Sequence, residues 1–445
     1  MKRLRQDALG LVQSVAIGIA GTAPAYTLAA STATLVAAVG ALAPASLLYC
    51  GLIMAGITFA FASLNRAYPD PGASHAWVGR VFHPALGFLC GWAVLVSSVL
   101  FMVSATIPAA TATLMLAAPE LAASKLHVIG VAACWLVAIT ALETRSVRAT
   151  GTLQAWMSGI EIAVLAALAA VALARNGPQV AALLASTPFA PAAFSPGTFA
   201  AGAVIAVFFF WGWDVPLNAS EETRDARHIP GAAAVLALLV VMCAFMALVL
   251  VTLATLSEAE IAASGANLVF AVAEKLVPRP WSYLAVLAVL LSSVGSLQVS
   301  LLQFARTLFA TARAGEMPQR WARVHERWRT PHLATWLNTA LGLVLLAASL
   351  AFADIDALLK ASINAIGLEI AFYYGLAALA CAWHFRRATG LQRVLAVAWP
   401  LASALALWAA AVFAAVSMDA VTLAIGLGGL ASGLIPLALL HRRAA

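Results

Sequence analysis

Residues 199–231 read FAAGAVIAVFFFWGWDVPLNASEETRDARHIPG. An apolar run reaches Phe208-Phe209-Phe210-Trp211, is interrupted by Gly212, Asp214 and Pro216, and resumes toward Asn218 and the pair Glu221-Glu222. A core helix of a soluble protein gains nothing from such an interruption. In lipid, a broken helix is tolerated only where the freed backbone groups are buried in protein or line a cavity. The stretch therefore predicts a membrane helix broken at a binding site, and the question becomes what the rest of the chain supplies around it.

The chain is 445 residues long, 63% hydrophobic and only 10% charged, with a mean hydropathy of +0.96. Soluble domains carry about 25% charged residues, so most of this chain has no water-facing surface and the class is a polytopic, all-α membrane protein. The formal charge of +7 lies in short clusters between apolar runs, as in the loops of membrane proteins, and no nucleic-acid partner is expected. Cys50, Cys90, Cys134, Cys243 and Cys381 all sit inside apolar runs without metal-ligand spacing, so no metal and no disulfide framework is implied. The basic start MKRLRQ resembles a signal peptide, but the apolar run continues to about Val39, which reads as a first membrane helix.

At about 20 apolar residues per crossing, twelve spans follow: 8–37, 42–64, 85–116, 126–143, 147–174, 198–219, 231–256, 281–313, 332–353, 356–384, 393–416 and 420–440. With the amino terminus inside, 20 of the 25 Lys and Arg residues fall on inner segments, among them Arg66, Arg80, Arg227, Arg306 and Arg313. The five on outer segments are Lys125, Arg175, Lys275, Arg279 and Lys360. This asymmetry predicts both termini in the cytoplasm and a multi-pass protein of the plasma membrane. Residues 65–84 are expected to form a short helix lying at the inner interface, 257–280 to cap the outer mouth, and the basic, aromatic 314–331 to be a solvated loop touching anionic headgroups.

Helix 1 carries a second interruption, Gly21-Thr22-Ala23-Pro24, five helices before Trp211-Gly212. Interrupted spans at matching positions of two halves point to an inverted-repeat transporter with a midplane site. The halves would be about 8–174 and 198–384, with 393–440 outside the repeat, all within one domain covering 1–445.

At this point the sequence resembles the amino acid–polyamine–organocation permeases, a family with the LeuT-type fold of five plus five inverted helices and two more. The resemblance rests on YPDPGASHAWVGRVFHPALGFLCGW (68–92), on the aromatic-rich Phe208–Asp214 with Glu221-Glu222, on ARTLFATARAGEMPQRWARVHERWRTP (305–331), and more loosely on helix 1. The departures are Ala23-Pro24 where the family has a second glycine, His75 where it has tyrosine, and Asp214 where it has glutamate.

Unwound backbone at Gly21, Thr22 and Ala23 would offer amide donors to a substrate carboxylate at the positive end of the outer half-helix. Carbonyls of Phe208, Phe209 and Trp211 beside Gly212 would accept from an ammonium, with the aromatic rings closing over the ligand. Glu161 lies mid-helix in AWMSGIEIAVLAAL, and a carboxylate at bilayer depth is a functional candidate by default. The resemblance places Glu161 where relatives couple transport to protons or hold a cation, with Ser292 and Ser293 completing a cation site, so sodium stays open beside protons. Asp214 is expected to couple gating to protonation. Glu369, the second deep acid, is expected either to face the substrate side chain or to pair with a neighbouring helix. Glu221, Glu222, Arg224, Asp225, Arg227 and Arg80 would form inner-face ion pairs or a solvated loop.

No Walker-type loop or clustered catalytic set is present, so neither ATP drive, an enzyme, nor a cofactor is expected. The expected activity is proton-coupled uptake of a neutral or small amino acid by alternating access. The alternatives are a cationic amino-acid or polyamine transporter or exchanger, and a membrane protein that senses amino acids without moving them.

Overall fold

The structure is a computed structural model that describes residues 4–187, 189–351 and 355–444. Lys2, Arg3 and the side chains of Lys360, Arg442 and Arg443 lie outside what it describes. Among the described residues every regular element is helical: α1 (Leu11–Thr22), α2 (Pro24–Val39), α3 (Ala43–Ala67), α4 (Ser74–Val81), α5 (Pro84–Ala117), α6 (Lys125–Arg145) and α7 (Val147–Ser186) make up the first part. Then come α8 (Pro196–Phe209), α9 (Val215–Asn218), α10 (Ile229–Thr255), α11 (Glu258–Ser264), α12 (Leu268–Leu276) and α13 (Tyr283–Arg313). The chain closes with α14 (His332–Ser349), α15 (Ile355–His384), α16 (Gly390–Arg393), α17 (Trp399–Ser417), α18 (Ala420–Ser432) and α19 (Leu434–Ala444).

Ten described stretches are long and apolar enough to cross a membrane, the first being Leu11–Ala67, which holds α1 to α3; Pro196–Phe209 is a shorter apolar helix. Several expected boundaries move for local reasons. The span ending at 174 continues to Ser186 across a kink at Asn176, two residues before Pro178. The span 420–440 divides at Gly433 into α18 and α19. A π-turn over Val394–Ala398 precedes α17.

The centre of the body is the pair α5 and α13, and α13 is buried almost without interruption from Ser292 to Ala312. A run of Ser292, Ser296, Ser300, Gln303 and Thr307 puts hydroxyls and an amide along one side of α13 at helical spacing. On α7 the same spacing aligns Gln154, Ser158 and Glu161, and Ser158 Oγ donates to the Ala16 carbonyl of α1 at 3.2 Å. Two polar seams thus converge on the broken helix.

The short helix expected in 65–84 is present as α4, but it does not merely lie at the interface. Ser74, His75, Trp77 and Val78 are buried, α4 packs on α5 and α15, and the Trp77 ring meets Phe61 edge-on at 5.3 Å. Its apolar face finds protein instead of headgroups. Residues 257–280 form α11 and α12, which cover α2, with α12 also touching α7 and α13. The segment 314–331 is folded back: Met317 and Trp321 pack beside Phe309 and Ala312 of α13.

Candidate functional site

The α1–α2 break forms because Ala23 adopts a left-handed conformation (φ 47°) and Pro24 brings no N–H to continue the ladder. A non-glycine residue there costs about 1–2 kcal/mol, which marks the position as strained. Gly21 and Thr22 remain inside α1, and the Ala23 N–H donates to the Ile19 and Ala20 carbonyls. The amides expected to receive a substrate carboxylate are therefore engaged, and the donors the break exposes lie one turn further on. Ala25 N–H donates to Glu161 Oε1 at 2.9 Å. Tyr26 N–H donates to Ser292 Oγ at 3.2 Å, and the Ser292 hydroxyl in turn bonds Glu161. The start of α2 carries the positive end of its helix dipole, and this chain's own carboxylate occupies it. Ser293 Oγ is buried without a partner among the described residues.

The second break faces the first. Gly212 has φ 102°, a region open to glycine, and its backbone lies against Gly21 so closely that a Cβ on either would run into the other's carbonyl oxygen. Beside this contact lies a cavity of about 10 Å³ lined by Trp211, Ser296, Ser300 and Gln303 among others, room for about one water. The Phe208 carbonyl keeps the Trp211 N–H at 3.4 Å, while no backbone N–H donates to the carbonyls of Phe209 or Trp211 among the described residues.

The aromatic side chains divide by helical phase. Phe208 lines a separate cavity of about 120 Å³ bounded by α2, α8, α15 and α17. Phe209 and Phe210 turn to Phe245 of α10, with centroids 5.1 and 5.5 Å away, so the Phe209 ring is helix packing. Trp211 stands edge-on to Phe101 at 5.0 Å, and its indole N–H donates to Tyr373 Oη at 2.9 Å.

Asp214, 2% exposed, is held on both oxygens. Tyr374 O–H donates to Oδ1 at 2.8 Å, Gln303 Nε2 to Oδ2 at 3.0 Å and Tyr373 O–H to Oδ2 at 3.4 Å. The broken helix is thereby tied to α13 and α15. Glu369 lies one turn before Tyr373 on α15 and takes no part in this cluster. Both its oxygens are buried without a partner among the described residues, and it sits against α18, where a Cβ on Gly429 would come 3.1 Å from Oε1. It lines none of the cavities around the two breaks, and no pairing partner stands beside it among the described residues.

At the end of this segment Glu222 accepts from Arg306 at both oxygens (2.9 and 3.1 Å), and Arg306 also donates to Glu143 at 3.0 Å. All three side chains are fully buried. Arg306 therefore does not belong among the inner-loop cations, and Glu222 is not in a solvated loop. Glu221 pairs with Arg313 at 2.7 Å, Asp225 with His228 at 2.9 Å, and Arg80 covers the Tyr68 ring at 4.0 Å. The Ala8 and Leu9 N–H groups donate to the Glu222 carbonyl and Arg224 N–H returns to Leu9, so the two broken helices are joined at this end as well.

Two breaks meeting backbone to backbone, each flanked by a buried carboxylate, fit a carrier, and the comparison with known proteins decides which kind. Residues 9–434 match the family model described as amino acid permease. The chain belongs to the amino acid permease family. The permease is 24% identical over 323 residues to the low-affinity putrescine importer PlaP of Escherichia coli K12, covering 71% of this chain and 67% of that protein. It is 28% identical over 381 residues to the uncharacterized transporter Rv1999c of Mycobacterium tuberculosis, covering 83% and 78%. It is 27% identical over 336 residues to the uncharacterized amino acid permease YecA of Bacillus subtilis, covering 71% and 73%. The permease is thus a multi-pass membrane transporter of a small molecule, not an enzyme.

Ala25, Tyr26, Gln303, Tyr373, Tyr374 and Glu143 bond to the residues of the candidate site, and sequence reasoning passed over them. Only the polar seam on α13 and the adjacent tyrosines in an apolar helix carried a usable signal for them.

Proposed function

We propose that this permease takes up a small or neutral amino acid by alternating access, driven by protons that bind Glu161. The observation that carries the reading is the Glu161 carboxylate on the Ala25 N–H. It stands at the helix start where the carboxylate of an α-amino acid would dock. Ionised, Glu161 competes with substrate for the donors of α2. Protonated, it is a weaker acceptor, and Ala25 and Tyr26 become free to bind the substrate carboxylate. The carbonyls of Phe209 and Trp211 then receive the ammonium. Proton and substrate depend on one another through a shared set of hydrogen bonds.

The halves 8–174 and 198–384 act as the two inverted repeats, with α1, α2, α8 and α9 moving against the remaining helices, and the Lys and Arg asymmetry sets both termini in the cytoplasm of a plasma-membrane protein. Opening toward the cytoplasm requires Asp214 to leave Tyr373, Tyr374 and Gln303. Sodium is the rival driver, favoured by the unpartnered Ser293 Oγ beside Ser292 and Glu161. A diamine is the rival substrate, favoured by the similarity to a putrescine importer; lacking a carboxylate, it would leave Glu161 on α2.

The test is uptake by purified protein in proteoliposomes across a panel of amino acids and diamines, with a pH gradient or a sodium gradient imposed in turn. Accumulation of an amino acid under the pH gradient, absent in Glu161→Gln, is the expected result. Undiminished gradient-driven uptake in Glu161→Gln removes Glu161 as the coupling site, and binding without flux removes transport.

A further inference from the structure

A cavity of about 1030 Å³ opens between the end of α3, the start of α10, the loop after α15 and the π-turn before α17. It shares no residue with the two cavities near the breaks. Its two ends differ in chemistry. Arg66, Arg227 and His228 stand at the mouth, all exposed. Phe59 lies seven residues before Arg66, and Leu236 eight after His228. At 1.5 Å per residue these apolar side chains are about 10 Å deeper along their helices. Asp225 is engaged by His228, and Asp70 and Glu221 by Arg313; among the described residues no carboxylate pairs with Arg66 or Arg227. Leu391 is 72% exposed at the rim.

We infer that this crevice binds one anionic phospholipid of the leaflet on the Arg66–Arg227 side, its phosphate between the two guanidinium groups and an acyl chain along Phe59 and Leu236. Two unpaired arginines supply the charge complement to a phosphodiester, and a basic pocket between membrane helices is where anionic headgroups are held. The depth of the apolar wall distinguishes this ligand from a soluble anion. The lipid would also bear on the moving part. Asn65, beside Arg66, donates to the Ala226 and Arg227 carbonyls at 2.8 and 3.4 Å, so a headgroup bridging Arg66 and Arg227 tightens the end of the broken helix that carries Glu222.

The experiment is a thermal-shift titration of the full-length protein in detergent with phosphatidylglycerol, phosphatidylcholine or inorganic phosphate. Phosphatidylglycerol is expected to raise Tm saturably and the other two to leave it unchanged. Each of Arg66→Gln and Arg227→Gln is expected to weaken the apparent affinity about fivefold, and the double variant about thirtyfold, whereas Arg66→Lys with Arg227→Lys keeps it within about threefold. Because each single variant is read separately, a double variant that fails to fold does not block the measurement. An equal shift with phosphatidylcholine, a saturable shift with phosphate alone, or affinity unchanged by the single glutamine variants would each overturn the assignment. The readout needs no substrate, so it stands apart from the transport reading.

Discussion

Glu161 and Glu369 are both glutamates buried deep in apolar helices, yet their surroundings share almost nothing. Glu161 meets the open start of α2 and the Ser292 hydroxyl. Glu369 lies beside Gly429 of α18, with neither oxygen bonded among the described residues. The difference teaches that depth in the membrane makes a carboxyl costly but does not assign it a task. What sets Glu161 apart is the helix opened beside it, because only there are backbone donors available to a carboxylate.

The largest expected effect calibrates what a fully buried charge is worth in this body. Arg306→Met leaves Glu222 and Glu143 facing each other uncompensated, and removing one partner of such a cluster costs about 3–5 kcal/mol. Thermal unfolding in detergent should show a large fall in Tm. A variant as stable as the parent would mean that neither carboxylate is ionised beside Arg306, and would weaken every charge argument at this end of the molecule.

Gly212→Ala comes next. Its φ of 102° and its backbone contact with Gly21 leave no place for a Cβ, so uptake should drop more than about tenfold, from about 1–2 kcal/mol of backbone strain and the forced separation of the two breaks. Normal uptake would show that the breaks need not touch.

Glu161→Gln keeps an oxygen for the Ala25 N–H but cannot ionise. One-proton coupling sustains about tenfold accumulation per unit of pH gradient, and in this variant the ratio should fall to unity while exchange without a gradient persists. Glu369→Leu is expected to do the reverse of what a coupling residue would. It replaces unsatisfied oxygens with an apolar group of similar size, so Tm should hold or rise and uptake should stay within about twofold. Loss of gradient-driven uptake in Glu369→Leu would invert the comparison.

The smallest effect is on the exposed face of α11 and α12. The Lys275 ammonium and the Ser257 donors hold Glu260 down at about 2 from a usual 4.5. A carboxyl depressed on folding stabilises above its unfolded value, and that contribution is lost as the pH falls through the folded one. Between about pH 4 and pH 2, Lys275→Met should therefore lessen the acid sensitivity of hydrogen exchange in α11 and α12, without moving the pH dependence of uptake at neutral pH.

The helical membrane class, the two interruptions at Gly21–Pro24 and Gly212, and the segregation of Lys and Arg were legible in the sequence. Each is a one-dimensional property: apolar length, loss of helical propensity, and loop composition. The identity of Glu161 as a deep acid was legible for the same reason. Its partner was not. The sequence placed the free amides at Gly21, Thr22 and Ala23, whereas the left-handed Ala23 closes α1 on itself and passes the open donors to Ala25 and Tyr26. The Phe208-Phe209-Phe210-Trp211 run looked like one aromatic cluster, and the 100° turn between helical neighbours sent its rings in different directions. Arg306 counted as a loop cation until its two carboxylates, 84 and 163 residues away in the chain, fixed it inside.

The sequence by itself determined that this chain lies in a membrane, where its helices break and which residues are too costly to be there without a reason. Composition and local propensity suffice for these, since lipid forbids any alternative that leaves backbone groups unpaired. Only the tertiary structure decided which costly group meets which break. That depends on contacts between residues more than a hundred positions apart, Ala25 with Glu161 and Tyr26 with Ser292, which arise from helix phase and crossing and leave no mark on the order of the residues.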